Sequence, residues 1–158
     1  MMEELNTVEV KKETAVKIAD LLNNLLADYQ VFYQNLRGFH WNIKGMYFFG
    51  LHQKFEELYT DAAEKIDEIA ERILTLGFTP YHSFEDYLSH TKLKSAKNIS
   101  EGKQAVTVTL ENIKHLLNQL NEVKLLADEK DDYGTSVIVD EIISSFEKTS
   151  WMLKSFLA

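Results

Sequence analysis

A single proline, Pro80, stands in 158 residues. Proline removes a backbone donor and clashes with the preceding turn, so its rarity leaves long stretches in which a helix meets no breaker. The six glycines fall mostly between the periodic segments. In the first segment Ile18, Leu22, Leu25, Tyr29, Phe32, Leu36 and Phe39 recur in steps of three and four, the spacing of one helix face. Asn6 and Glu9 have the capping-box spacing for its start. In the second, Leu51, Phe55, Leu58, Ala62, Ile66, Ile69, Ile73 and Leu76 repeat the pattern and stop at Gly77. The third carries Val106, Leu110, Ile113, Leu117 and Leu120, with Asn98 and Glu101 spaced to cap it. "ADEKDDYG" separates it from the fourth, where Val139, Ile142, Phe146, Leu153 and Phe156 share a stripe. The amphipathic "SFEDYLSH" predicts a small helix inside the long connection between the second and third. The pattern predicts an all-α fold: an up-down four-helix bundle with a crossover between the second and third helices and a short extra helix within it.

Bulk properties narrow the function. Hydrophobic content of 45% and charged content of 27% are those of an ordinary globular chain. No run approaches the ~18 apolar residues of a membrane span, and "MMEELNTVEV" lacks the basic-then-apolar order of a signal peptide. The absence of cysteine excludes disulfides and thiolate metal sites. A cytoplasmic location is expected, with no membrane partner. The net charge of −8 disfavours phosphate backbones and anionic lipid and favours cations.

The second helix carries a second pattern. At 100° per residue, Glu56 lies roughly 40°, Asp67 60° and Glu71 100° from His52, while the apolar stripe centres near −85°. The four polar residues therefore share a face away from the core. His52 with Glu56, and Asp67 with Glu71, have the i,i+4 spacing at which two side chains can grip one ion. Within one chain the two pairs cannot share an ion, because fifteen residues of rise separate them by about 22 Å and metal–ligand bonds are about 2 Å. Two copies of the helix packed antiparallel would remove the difficulty. In such packing facing positions have a fixed total, and His52 with Glu71 and Glu56 with Asp67 both total 123. The axis would pass near position 61.5, where Thr60 and Ala63 are small enough to let the helices approach, and would create two identical sites shared between subunits. His40, at the end of the first helix, adds a further nitrogen. Carboxylates with imidazole suit Fe, Mn or Zn without choosing among them. The plainer alternative is a solvated helix face, the reading given to Glu57, Glu64 and Glu68.

"FHWNIKG", a histidine twelve residues after His40, and "DEIAERILTLG" together resemble the Dps family, the miniferritins of starved cells. The likeness extends over nearly the whole chain, including "WMLKSFLA" at its end. It implies one ferritin-like domain over residues 1–158, assembled as a homo-oligomeric shell of twelve subunits with iron sites at twofold interfaces. By resemblance, His40, His52, Asp67 and Glu71 match the family's ligand positions, and Glu56 stands where aspartate is usual, leaving a di-iron or a mono-iron site open. Trp41 looks like the tryptophan that flanks the family's site, and Trp151 resembles a second nearby. Core packing is the plainer reading of either. The family oxidises Fe(II), preferentially with hydrogen peroxide, and stores Fe(III) in its cavity, which makes Fe the implied metal and peroxide the implied co-substrate. "DEKDD", Asp128 to Asp132, looks like the acidic opening of the family's pores, or else is an ordinary loop with capping carboxylates. His82, His90 and His115 are read as surface or loop residues.

Two other functions compete. Members of the family that bind DNA often use a mobile basic tail. Here the residues before Lys11 hold three glutamates and no Lys or Arg, so direct DNA binding is not expected. A purely structural bundle would assemble but ignore iron.

Overall fold

The computed structural model describes residue 8 and residues 10–158. Five helices follow in order: α1 Lys12–Asn42, α2 Phe48–Thr75, α3 Phe84–His90, α4 Gly102–Glu129 and α5 Tyr133–Leu157. Short links join α1 to α2 and α4 to α5, so each pair is an antiparallel hairpin. α1 packs on both α2 and α4, and α5 packs on α4 and α2. The bundle with its crossover and small extra helix is the architecture the periodicity predicts.

The apolar stripes explain the packing. Every residue of the α1 stripe from Ile18 to Phe39 is buried, as are Leu51, Phe55, Ile69 and Ile73 of α2, Val106, Ile113 and Leu120 of α4, and Val139, Ile142, Phe146 and Leu153 of α5. At the centre, Tyr29 stacks on Phe146 with ring centroids 5.8 Å apart, and Phe32 meets both rings edge-on. Full burial of one such side chain is worth about 1.5–3 kcal/mol, so the stripes together supply the drive to bundle.

The helix ends refine the expectation. α1 begins at Lys12 with Lys11 as a cap that makes no side-chain bond. Asn6 and Glu9, proposed to cap it, lie outside the described residues. α4 is capped by Glu101 alone, whose carboxylate accepts from the N–H groups of Lys103 at 2.9 Å and Gln104 at 2.7 Å. Asn98 instead takes a left-handed backbone turn, φ 59°. α4 also runs further than "ADEKDDYG" suggested, through Asp128 and Glu129, leaving only Lys130–Asp132 between the helices. The stop of α2 falls where predicted: Gly77, at φ 89°, closes the helix by donating to Leu74 O at 2.9 Å.

Three buried polar residues of α1 pin the crossover. Asn23 donates to Thr79 O at 3.2 Å and accepts from Tyr81 N at 2.8 Å. Asn35 donates to Lys94 O at 3.0 Å and accepts from Ala96 N at 2.8 Å. Between them the Asp28 carboxylate, fully buried, accepts from Thr91 Oγ1 and Lys92 N at 2.6 Å, Leu93 N at 3.0 Å and His115 Nε2 at 2.7 Å. His115 is therefore no loop residue: it sits half-buried on α4 and bonds the buried Asp28 carboxylate.

Candidate metal centre

Two of the proposed ligands meet within one chain. Phe39 and Phe55 pack together at 5.4 Å and draw the end of α1 against the start of α2. Just outside this contact the rings of His40 and His52 stack, centroids 3.8 Å apart and planes 15° from parallel. His40 Nδ1 donates to the His52 carbonyl at 2.7 Å, and His52 Nδ1 donates to the His40 carbonyl at 2.7 Å. The exchange has a local cause. The His40 carbonyl lies in the last turn of α1, where helical partners run out, and Lys44 N, which would have reached back to it, bonds Ser100 O at 2.9 Å instead.

The exchange also fixes chemistry. A carbonyl oxygen only accepts, so each Nδ1 must carry the proton, and in the neutral ring the lone pair is left on Nε2. A backbone carbonyl on one imidazole nitrogen is the outer-shell partner that orients a metal-ligating histidine and raises the basicity of the other nitrogen. His40 is buried and His52 half-buried, with both rings held on two sides.

The carboxylates are arranged otherwise. Glu56, Asp67 and Glu71 are exposed on α2, away from the buried Leu51, Phe55, Ile69 and Ile73. Among the described residues, no group of three or more His, Asp or Glu gathers to hold an ion inside a single chain. Thr60 and Ala63 are exposed on the same helix. Next to them, Asp61 is half-buried, and burial pushes its carboxyl up from the usual range against the opposing effect of Lys65. A donor set of imidazole nitrogens with hard carboxylate oxygens would fit a divalent first-row metal.

The end of α2 beside Glu71 is held firmly. Arg72 reaches across to α5, donating to Asp132 at 2.6 Å and Thr135 at 2.9 Å. A Cβ on Gly134 would lie 2.8 Å from the guanidinium, so a larger residue there would push the Arg72 head group aside. The acidic run "DEKDD" is thereby divided. Asp132 is buried as the α5 cap and partner of Arg72, whereas Asp128 ends α4 and pairs with Lys124 at 2.6 Å. Neither tryptophan packs in the core: Trp41 is 56% and Trp151 65% exposed, and Arg37 lies over the Trp41 ring at 4.8 Å. Periodicity had no means of finding the Arg72–Asp132 pair, whose members lie sixty residues apart.

Comparisons with known proteins agree with this architecture. The ferritin-like domain family matches residues 19–158. The DNA protection during starvation protein of Brevibacillus brevis is 39% identical over 140 residues, 89% of this chain and 94% of that protein. The DNA protection during starvation protein 2 of Bacillus anthracis is 38% identical, covering 89% and 97%. The crystal structure of a Dps protein from Vibrio cholerae O1, described as a member of a superfamily of ferritin-like diiron-carboxylate proteins, superposes with a TM-score of 0.95 at 45% identity, covering 97% of this chain and 96% of that one. With fold, coverage and identity in accord, the chain belongs to the Dps family of ferritin-like proteins.

Proposed function

We propose that the protein oxidises Fe(II) with hydrogen peroxide and holds the Fe(III) as a mineral inside a hollow twelve-subunit shell, protecting the cytoplasm from oxidative damage. The single observation that carries this reading is the reciprocal Nδ1–carbonyl exchange of His40 and His52, which readies two Nε2 lone pairs on one side of the chain. Asp67 and Glu71 of a second subunit would complete the site, with Glu56 beside His52 as the remaining oxygen ligand and Trp41 flanking it. Imidazole and carboxylate hold Fe(II), and the anionic oxygens favour Fe(III) once it forms. Two irons at one site would hand two electrons to peroxide together. The net charge of −8 draws cations and opposes a DNA-compacting role.

The test is anaerobic loading with Fe(II) followed by peroxide, with Fe(III) formation followed optically. The rate is expected to fall roughly tenfold or more in His52→Ala and in Asp67→Ala. Unchanged rates in both variants would refute the site.

A further inference from the structure

The chain between α2 and α4 runs along α1 as a strap, and its ties climb α1 in order. Asn23 holds Thr79 and Tyr81, Asp28 holds Thr91 to Leu93, and Asn35 holds Lys94 and Ala96. The last tie is made to the α1–α2 link itself. Lys44 N donates to Ser100 O at 2.9 Å, and Lys44 and Glu101 form an isolated parallel bridge. The next residue, Gly102, opens α4 against the start of α2.

Gly102 is buried, and a Cβ on it would lie 2.8 Å from Leu51 Cδ1 and in ordinary contact, 3.5 Å, with the Tyr47 ring. It takes no left-handed φ, so its conformation would suit alanine, the better helix former. Closeness is therefore what the missing side chain supplies. Leu51 is itself buried in the core and immediately precedes His52. The reciprocal bonds of His52 and His40, both 2.7 Å, need the His40 carbonyl free and the two helix ends at one fixed spacing.

We propose that Ser100–Gly102 is a positioning element for the two imidazoles. The Ser100 carbonyl turns Lys44 N away from the end of α1, and Gly102 sets how closely the start of α2 sits. Its purpose rests on the Fe(II)-oxidising reading above, but the placement of the rings does not. A side chain at position 102 presses on Leu51, which has core on its other side, so the first turns of α2 retreat and carry His52 with them. A retreat of ~1 Å takes both imidazole–carbonyl contacts out of hydrogen-bond range. Neither Nδ1 is then bound to hold the proton, and the Nε2 lone pairs are no longer set.

The experiment starts with the metal-free, assembled full-length protein, labelled at its histidine nitrogens for solid-state NMR, and continues with anaerobic Fe(II) titration by calorimetry. The wild type is expected to hold His40 and His52 in the Nδ1-protonated form. In Gly102→Ala both rings should show mixed tautomers, and Fe(II) affinity should fall several-fold. Gly102→Ala/Leu51→Val lacks the clashing Cδ1 and should restore both readouts. Gly50→Ala, a glycine of α2 with open space around its Cβ, should change neither. Wild-type tautomers and affinity in Gly102→Ala overturn the proposal, as does a loss that Leu51→Val leaves in place. If Gly102→Ala does not assemble, the double variant decides alone: assembly with the wild-type tautomers supports the positioning, and any other result overturns it. A wild type with both rings so fixed that binds no Fe(II) removes the iron reading and leaves the positioning standing.

Discussion

α2 and α4 are each 28 residues long and bury one apolar stripe in the same core, yet their ends are fixed by different means. α4 begins with its own cap, Glu101, and ends on a pair between Lys124 and the exposed Asp128 one turn on. α2 begins at Tyr47 without a side-chain cap. Its first turn is held by the exchange between His52 and His40 and by the Tyr47 ring against Phe156 at 5.1 Å, and its last by Arg72 reaching to α5. α4 is tied to its neighbours along its length, through His115 to Asp28 of α1 and through Lys124 to Ser136 and Asp140 of α5. The helix whose outer face carries the ligand spacing is tied to other helices at both of its ends.

The strongest way to break the contrast is to show that the outer face of α2 matters no more than that of α4. Glu111→Ala and Glu122→Ala, on α4, should leave peroxide-driven Fe(II) oxidation unchanged. His52→Ala and Glu71→Ala should each abolish it. Co-expression of those two inactive variants sharpens the point, because in a mixed pair one site collects both lesions and the other none. With random pairing roughly a quarter of all sites are then intact, and activity should return to about that fraction. Recovery measured on assemblies shown by mass spectrometry to be mixed supports a shared site. Failure of such assemblies to recover any activity would show that the ligands of one chain work alone.

A smaller effect separates the two C-terminal ends. Asp132 is 1% exposed and faces a guanidinium that is itself mostly buried. Asp132→Ala leaves that charge without its partner, and stability in a denaturant titration should fall by about 3–5 kcal/mol. Lys124 donates to Ser136 at 2.9 Å and pairs with carboxylates that are about half exposed, Asp128 at 2.6 Å and Asp140 at 3.3 Å, so Lys124→Ala should change stability little. Equal losses would mean that both helices are anchored alike at this end.

How much of this was legible without coordinates follows from the range of each interaction. Helix number, stripes and the stop at Gly77 are local patterns, and the stripes of α1 and α5 met the core as their spacing required. The i,i+4 pairs of α2 are equally local, as is their common face. The exchange between His40 and His52 depends on how a five-residue link folds two helix ends together, which spacing does not specify. Asp28 and His115 lie 87 residues apart and were invisible for the same reason. A signal was nonetheless present: Asp28 stands next to Tyr29 in the most apolar part of α1, where an unpaired carboxylate would be costly, so a distant donor was required. Trp41 and Trp151 were open to two readings, flanking a site or packing in the core, and both lie at the surface, which removes the second.

The smallest effect concerns the N-terminal ends. The backbone N–H of Lys103, then that of Gln104, hold the Glu101 carboxyl below its usual range. A group depressed in the folded state contributes stability above its unfolded value and loses it as pH falls through the folded value. Glu101→Gln keeps an oxygen to accept these bonds but carries no charge to favour the helix N-terminus. The wild type should therefore melt slightly above the variant at neutral pH, and the gap should close in acid once Glu101 is protonated. Tyr47, the corresponding residue of α2, carries no carboxylate, so its replacement should give a difference that is flat across the same interval. A gap that persists unchanged into acid would mean that the charge on Glu101 adds nothing to its capping. The distinction between a helix anchored by its own cap and one anchored by its neighbours would then hold only at the other end.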